Sequence, residues 1–333
     1  MPDRTIALVL SGGNALGAFQ AGAYSALHAR GIDPQWIAGV SMGAINGALI
    51  AGNAPENRIA ALERVWQPGA SDGIAGPIET WRRTAAVHHV LAQGKPGIFA
   101  PRLPFPPPRD TDERSLFDTA PLRDTLDALV DFDRLNDPAR RYAALAVDVE
   151  RGEDVAFDTH RTRVGAEHVR ASAALLPMFA PVEIDGRWLV DGGLSLNLPL
   201  DAVLDEPPPG ELLCIAIDLM PLRIPRPATL GEAAARLPDL AFAIQSRRAI
   251  EHWRQRHAHT ADRSITLLHI DYREQHAEVA AKAFDYSPAS VRQRWDAGAA
   301  AMFFALDRLA AGDISTGRPG LSVWRADDQE QDA

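Results

Sequence analysis

Ser41 stands in Gly39-Val40-Ser41-Met42-Gly43, a G-x-S-x-G pentapeptide. A serine hydroxyl is a weak nucleophile unless the backbone holds it in the open and a neighbouring group takes its proton. Glycines two residues to either side permit the sharp strand-to-helix turn that exposes it, because no Cβ crowds the turn. The flanking residues supply the right context. Trp36 to Val40 reads as a short incoming strand, and Ala44 to Ala51 reads as the outgoing helix. The chemistry expected of such a serine is acyl transfer, with attack on a carbonyl carbon, an oxyanion and an acyl-enzyme.

That chemistry needs donors for the oxyanion and a base. The donors are offered by Ser11-Gly12-Gly13-Asn14-Ala15-Leu16-Gly17, between the first strand and the first helix. Successive N–H groups in such a loop can converge on one negatively charged atom, and the helix behind adds the positive end of its dipole. Two other readings of the loop are phosphate binding and a structural turn. The first is weakened because the run is neither G-x-G-x-x-G nor a P-loop with its Gly-Lys-Ser/Thr.

The base has two readings. A Ser–acid–His triad would use a histidine late in the chain. The histidines after Asp191 are His252, His257, His259, His269 and His276. Four lie in or near charged helical stretches, where a solvated face is expected. His269 ends an apolar strand and is the triad candidate. The competing base is Asp191, which follows the strand Trp188-Leu189-Val190 and precedes Gly192-Gly193. A carboxylate at a strand end, followed by two glycines, can lie against a serine with little obstruction. On local sequence alone, Asp-Gly-Gly is equally a turn.

The elements that must position these residues follow from periodicity. Ile6 to Leu10 is continuously apolar, as in a strand buried on both faces. Ala18 to Arg30 reads as a helix ended by Gly31, and the strand at Trp36 and a second helix to about Asn53 complete βαβα. This is the signature of an α/β fold with a mostly parallel sheet. Prolines then crowd residues 68 to 108, and only Pro77 to Gln93 looks helical, with Ile78, Trp81, Ala85 and Val90 near one face. This segment is either a lid beside the core or a surface excursion.

Further on, a helix is expected from Thr119, as candidate cap, to about Val130. Hairpins are expected around Gly152 and Asp185-Gly186. Buried strands are expected at Leu212 to Leu219 and Ile265 to Ile270, with long helices over Leu230 to Arg256 and Ser290 (as cap) to Leu309. The chain thus divides into a core over 1–210 with an insertion at about 67–110, strands and helices over 211–312 that complete it or pack on it, and a flexible tail over 313–333.

Composition bounds the function. The chain has 333 residues, 46% hydrophobic and 23% charged, which is ordinary for a globular protein. Its net charge of -10 argues against nucleic acid as a partner and against a polybasic membrane patch. Lysine occurs only at Lys95 and Lys282, with arginine elsewhere, as expected of a GC-rich bacterial genome. Cys214 is the single cysteine and sits in an apolar run, so a buried core thiol is expected. The five apolar residues Ile6 to Leu10 are too few for a signal-peptide core, and no run approaches the ~18 that a membrane span needs. A cytoplasmic protein is the expectation.

Several motifs now agree in order: Gly12-Gly13 with Gly17, Gly39-x-Ser41-x-Gly43, Ala171-Ser172-Ala173-Ala174 with Pro177, Asp191-Gly192-Gly193, and Asn197-Leu198-Pro199. Over roughly residues 5 to 202, the chain resembles the patatin-like phospholipase family. Asp285-Tyr286-Ser287-Pro288 and Arg294-Trp295-Asp296-Ala297-Gly298 resemble a bacterial subgroup with an extra C-terminal region. The resemblance implies a three-layer αβα fold and a Ser–Asp dyad, with Ser41 as nucleophile, Asp191 as general base and no histidine required. It implies oxyanion N–H groups from Gly12, Gly13 and Asn14.

Two departures stand out. Many members carry a third glycine where this chain has Asn14, and a basic residue where it has Leu16. The first narrows the mouth without removing an N–H. The second weakens the case for an anionic headgroup beside the loop. The implied activity is hydrolysis of lipid or other carboxylic esters, with transient membrane-surface contact and no cofactor or metal. Acyl transfer through the same dyad and a non-catalytic lipid-binding role are the alternatives.

Overall fold

The apolar run after Thr5 becomes an interior strand because both of its faces are covered. Alternate residues of β1 (Arg4–Leu10) serve two cores. Ile6, Leu8 and Leu10 join one hydrophobic cluster, and Ala7 and Val9 join the other. That period of two is the geometry of a strand between helical layers. In this computed structural model the described residues are 4–69, 77–102, 115–258, 260, 262–273, 275 and 278–326.

The remaining strands in chain order are β2 (Trp36–Val40), β3 (Ala100–Pro101), β4 (Phe117–Asp118), β5 (Arg141–Asp148), β6 (Glu153–Asp158), β7 (Val182–Ile184), β8 (Arg187–Asp191), β9 (Gly210–Asp218), β10 (Arg263–Asp271) and β11 (Gly320–Arg325). Among the described residues, nine of them form one sheet in the order β11-β10-β9-β1-β2-β5-β8-β7, with β6 also on β5. From β11 to β5 every pairing is parallel; β6, β7 and β8 run antiparallel to their neighbours. The helices are α1 (Ala18–Ala29), α2 (Met42–Ala51), α3 (Arg58–Trp66), α4 (Pro77–Gln93), α5 (Ala120–Leu129), α6 (Phe132–Leu135), α7 (Ala166–Ser172), α8 (Asp201–Leu204), α9 (Leu230–Arg256) and α10 (Pro288–Ala311). One core takes in α1, α2, α3, α7 and α10, and the other takes in α8 and α9. The result is the expected three-layer, mostly parallel α/β architecture.

The segment after residue 210 completes the sheet. β9 pairs with the whole length of β1, and β10 pairs with β9. Cys214 is buried at the centre of β9, and burial pushes its thiol up to about 12, so it is inert packing. Helix α10 crosses α1 with backbone contact: a Cβ on Gly22 would lie 1.9 Å from the Trp295 carbonyl oxygen, and one on Gly298 equally close to that of Phe19. This close crossing explains why a glycine stands in the Arg294–Gly298 motif.

Five expectations are corrected. Residues 320–325 form a strand on β10 where a loose tail was expected, because that run (Gly-Leu-Ser-Val-Trp-Arg) offers a backbone edge to the last parallel strand. Ser287, not Ser290, caps α10 by accepting from the Ser290 N–H. Thr119 caps nothing with its side chain; the Asp118 carboxylate accepts from the Ala120 N–H at 2.9 Å. His257, expected on a solvated face, is buried against Trp253 and shares a 2.8 Å hydrogen bond with the Leu204 carbonyl. Finally, α4 turns Ile78 and Trp81 outward, 67% and 72% exposed, and Arg83 inward. The phase of that helix is set by Arg83 reaching buried carboxylates rather than by its apolar stripe. Of the proline-rich insertion, residues 103–114 lie outside the described residues, as do His259 and His276. The adjoining Ile98 and Phe99 pack inward, Phe99 against Phe117, Phe179 and Tyr286.

Candidate active site

Ser41 sits between β2 and α2 with φ 55° and ψ -126°, in a region of backbone space that a serine occupies only when its surroundings enforce it. The enforcement is steric. α2 must leave the turn tightly against β1, and a Cβ on Gly43 would lie 2.2 Å from the Leu10 carbonyl oxygen. Gly43→Ala is therefore expected to destabilise the fold by ~3 kcal/mol, as overpacked cores do, measured by chemical denaturation.

Asp191 reaches Ser41 through β5. Val40 pairs with Leu145 and Asp191 pairs with Ala146, so the residue after β2 and the last residue of β8 meet at adjacent positions of one strand. The Asp191 carboxylate lies within reach of the Ser41 side chain and accepts from the Gly193 N–H at 2.8 Å. Asp191 is 2% exposed. Burial raises its pKa to about 6, against the smaller opposing pull of Ser41 and of the Gly193 N–H.

Two residues whose roles the sequence did not reveal shape the site, one beside this pair and one on the glycine loop. In the Ala171–Ala174 stretch, the Ser172 carbonyl accepts from the Ser41 N–H at 3.0 Å, and the Ala174 carbonyl accepts from the Asp191 N–H at 3.1 Å. The Ser172 hydroxyl donates to the Leu145 carbonyl at 2.5 Å and accepts from the Ser41 N–H at 3.2 Å. One short segment thus fixes both side-chain origins. The other is Asn197, whose carbonyl accepts from the Gly12 N–H at 3.2 Å while its Nδ2 donates to the Gly12 carbonyl at 3.4 Å.

The glycine loop lies beside the serine, with the site of a Cβ on Gly12 3.7 Å from Ser41 Oγ. Because Asn197 occupies the Gly12 N–H, that donor is committed inside the fold. Among the described residues, the N–H groups of Gly13 and Asn14 have no such partner. Asn14 holds φ at 50°, which asparagine tolerates better than most residues. Its side-chain oxygen accepts from the buried Tyr286 hydroxyl. Buried amides fix the loop's ends: Gln20 Nε2 donates to the Ser11 carbonyl at 2.8 Å, and Asn46 Nδ2 to the Gly17 carbonyl at 3.0 Å. Leu16 is buried and lines the same cavity.

Ser41, Asp191 and the loop open on a cavity of about 540 Å³, within the ~300–1,000 Å³ typical of small-molecule sites. Its wall is largely apolar: Met42 and Ile45 from α2, Leu122 from α5, Leu175, Met178 and Phe179 before β7, Pro238 and Phe242 from α9, and Phe284. His269, the triad candidate, is elsewhere. It lines a second cavity and its Nε2 lies 3.4 Å from Asp218. No group of side chains suited to a metal ion occurs among the described residues.

A sequence profile described as patatin-like phospholipase matches residues 8–204, more than half of the chain. The chain belongs to the patatin-like phospholipase family. A second profile, described as patatin phospholipase, matches residues 229–311, the region of α9 and α10. Uncharacterized NTE family proteins of Mycobacterium bovis and Mycobacterium tuberculosis are 31% identical over 195 residues, 59% of this chain. The chain spans 44% of their length. Among solved structures, VipD from Legionella pneumophila superposes with a TM-score of 0.41 at 15% identity, covering 89% of this chain and 67% of that one. The patatin-like core therefore carries the nucleophile turn, and the C-terminal region supplies the Tyr286 contact to the loop and one wall of the cavity. No helix among the described residues is long and apolar enough to cross a membrane.

Proposed function

We propose that this patatin-like protein hydrolyses carboxylic esters of lipids through a Ser41–Asp191 dyad. The observation that carries the reading is Ser41 placed beside a buried Asp191 at the wall of an apolar cavity. With Asp191 ionised, its carboxylate takes the hydroxyl proton as Ser41 Oγ attacks the ester carbonyl. The N–H groups of Gly13 and Asn14 receive the oxyanion, and the α2 N-terminus adds its partial positive charge. Protonated Asp191 then returns the proton to the leaving alcohol. Water, deprotonated by the same carboxylate, releases the acid from Ser41. The acyl chain occupies the apolar cavity.

An activated serine in this setting reacts with fluorophosphonates. The wild-type protein is expected to be labelled at Ser41, located by mass spectrometry of the adduct peptide, and Ser41→Ala is expected to remain unlabelled while keeping its melting temperature. An unlabelled wild type, or a label on another residue, would remove the nucleophile from this proposal.

A further inference from the structure

A second cavity of about 270 Å³ lies at the carboxyl ends of β9, β10 and β11. Asp218, Asp271 and Arg325 stand at those strand ends, and α9 covers them with Ser246 and Arg247. The carboxyl edge of a parallel sheet is where α/β folds bind ligands, and Ser41 lies on the same edge after β2. The two cavities are neighbours: Met220 lines both, and α9 passes from one to the other between Phe242 and Ala243.

The second cavity differs in charge. Arg223, Arg247, Arg273 and Arg325 line it, against two carboxylates. Both carboxylates have partners in place: Asp271 accepts from Arg273 Nε at 2.6 Å, and Asp218 lies beside His269. Among the described residues, Arg223, Arg247 and Arg325 have no ion-pair partner. Three arginines without an ion-pair partner thus line one small cavity in a chain whose net charge is -10. Planar guanidinium forks match the oxygens of a phosphoryl group, and three cations suit a dianion better than a lone carboxylate.

We propose that this cavity binds a phosphoryl group, either as the headgroup of an ester lipid whose acyl chain fills the neighbouring cavity or as free phosphate. The headgroup form rests on the lipid-ester reading of Ser41; the free-phosphate form does not. The departure at Leu16 fits this arrangement, since the cationic site lies beyond Met220 rather than beside the oxyanion loop.

The test uses the full chain and the double variant Arg247→Gln/Arg325→Gln, with melting temperature as the check on folding. Calorimetric titration with inorganic phosphate at low ionic strength is expected to give binding that weakens at least tenfold in the variant, with sodium chloride as the control for charge screening. Absence of phosphate binding by the wild type, or equal binding by both proteins, overturns the proposal. A second arm compares soluble short-chain phosphatidic acid with diacylglycerol of the same chains. If the headgroup is the ligand, the variant loses about tenfold or more in kcat/KM on phosphatidic acid and is unchanged on diacylglycerol. If phosphate binding falls in the variant while both substrates are unaffected, the ligand is free phosphate. Failure of the wild type to hydrolyse any ester would sink the hydrolase reading and leave the phosphate titration to judge the site.

Discussion

Asp191→Asn is expected to lower ester turnover by about 10²–10⁴-fold, the contribution of a positioned general base, while making the protein more stable at pH 8. Both effects have one cause. Asp191 is held at a pKa of about 6 by burial, above the 3.8 of an exposed aspartate. The native state therefore binds its proton more tightly than the unfolded chain does. The stability this contributes is fully present below pH ~4 and is lost as pH rises through about 6. At pH 8 the ionised carboxylate costs on the order of 3 kcal/mol, from ~1.4 kcal/mol per pKa unit. Asparagine removes the charge and keeps an oxygen for the Gly193 N–H. Its stabilisation, read by denaturation at pH 8, should vanish at pH 4. In the wild type, kcat/KM should fall below pH about 6, as protonated Asp191 can no longer accept the serine proton. A flat profile between pH 5 and pH 8 would contradict the assignment of Asp191 as base.

The second large effect is expected at Arg294, far from the reacting atoms. Its guanidinium is fully buried, and it donates to both Glu278 oxygens at 2.8 and 2.7 Å and to the Asp285 carbonyl at 2.7 Å. It also donates to the Ala15 carbonyl at 3.1 Å, inside the glycine loop. Arg83 from α4 closes the cluster on Glu278 and Asp285. Burial alone would raise the pKa of Glu278, but Arg294 and Arg83 outweigh it and hold the carboxyl at about 2. Arg294→Met removes one partner and leaves buried carboxylates short of positive charge, a change that costs roughly 3–5 kcal/mol. Denaturant unfolding should register that loss. Arg294→Lys, which keeps the charge and loses the fork, should lose less. Fluorophosphonate labelling of the folded Arg294→Lys protein should slow, because the loop loses its anchor at Ala15. Equal stability of all three proteins would show that the cluster is not holding the fold together.

Much of this molecule is legible along the chain because it depends on neighbours in sequence. The continuous apolar run at β1, the alternation of strand and helix, and the glycines around Ser41 each report a local requirement of backbone geometry. Helix α9 begins and ends where its sequence says, with Thr229 as its cap. Local pattern misleads where a distant partner overrides it. α4 exposes Trp81 because Arg83 is drawn to Glu278 and Asp285, residues some two hundred positions away. The tail's β11 exists because β10 leaves a parallel edge beside it.

The active site divides in the same way. By itself the sequence determined the kind of turn that presents Ser41, the presence of a glycine loop before it, and an Asp-Gly-Gly that could be either a base or a bend. Strain and spacing at those positions are local, so residue types alone record them. Only the tertiary structure decided between Asp191 and His269 as the neighbour of Ser41. It also committed the Gly12 N–H to Asn197 and tied Ser41 and Asp191 to one segment through Ser172 and Ala174. Those outcomes depend on which strands lie side by side, here β2 and β8 on β5 and β9 between β1 and β10. Pairing order is a property of the whole sheet, set by the packing of two cores at once, and no short stretch of chain carries it.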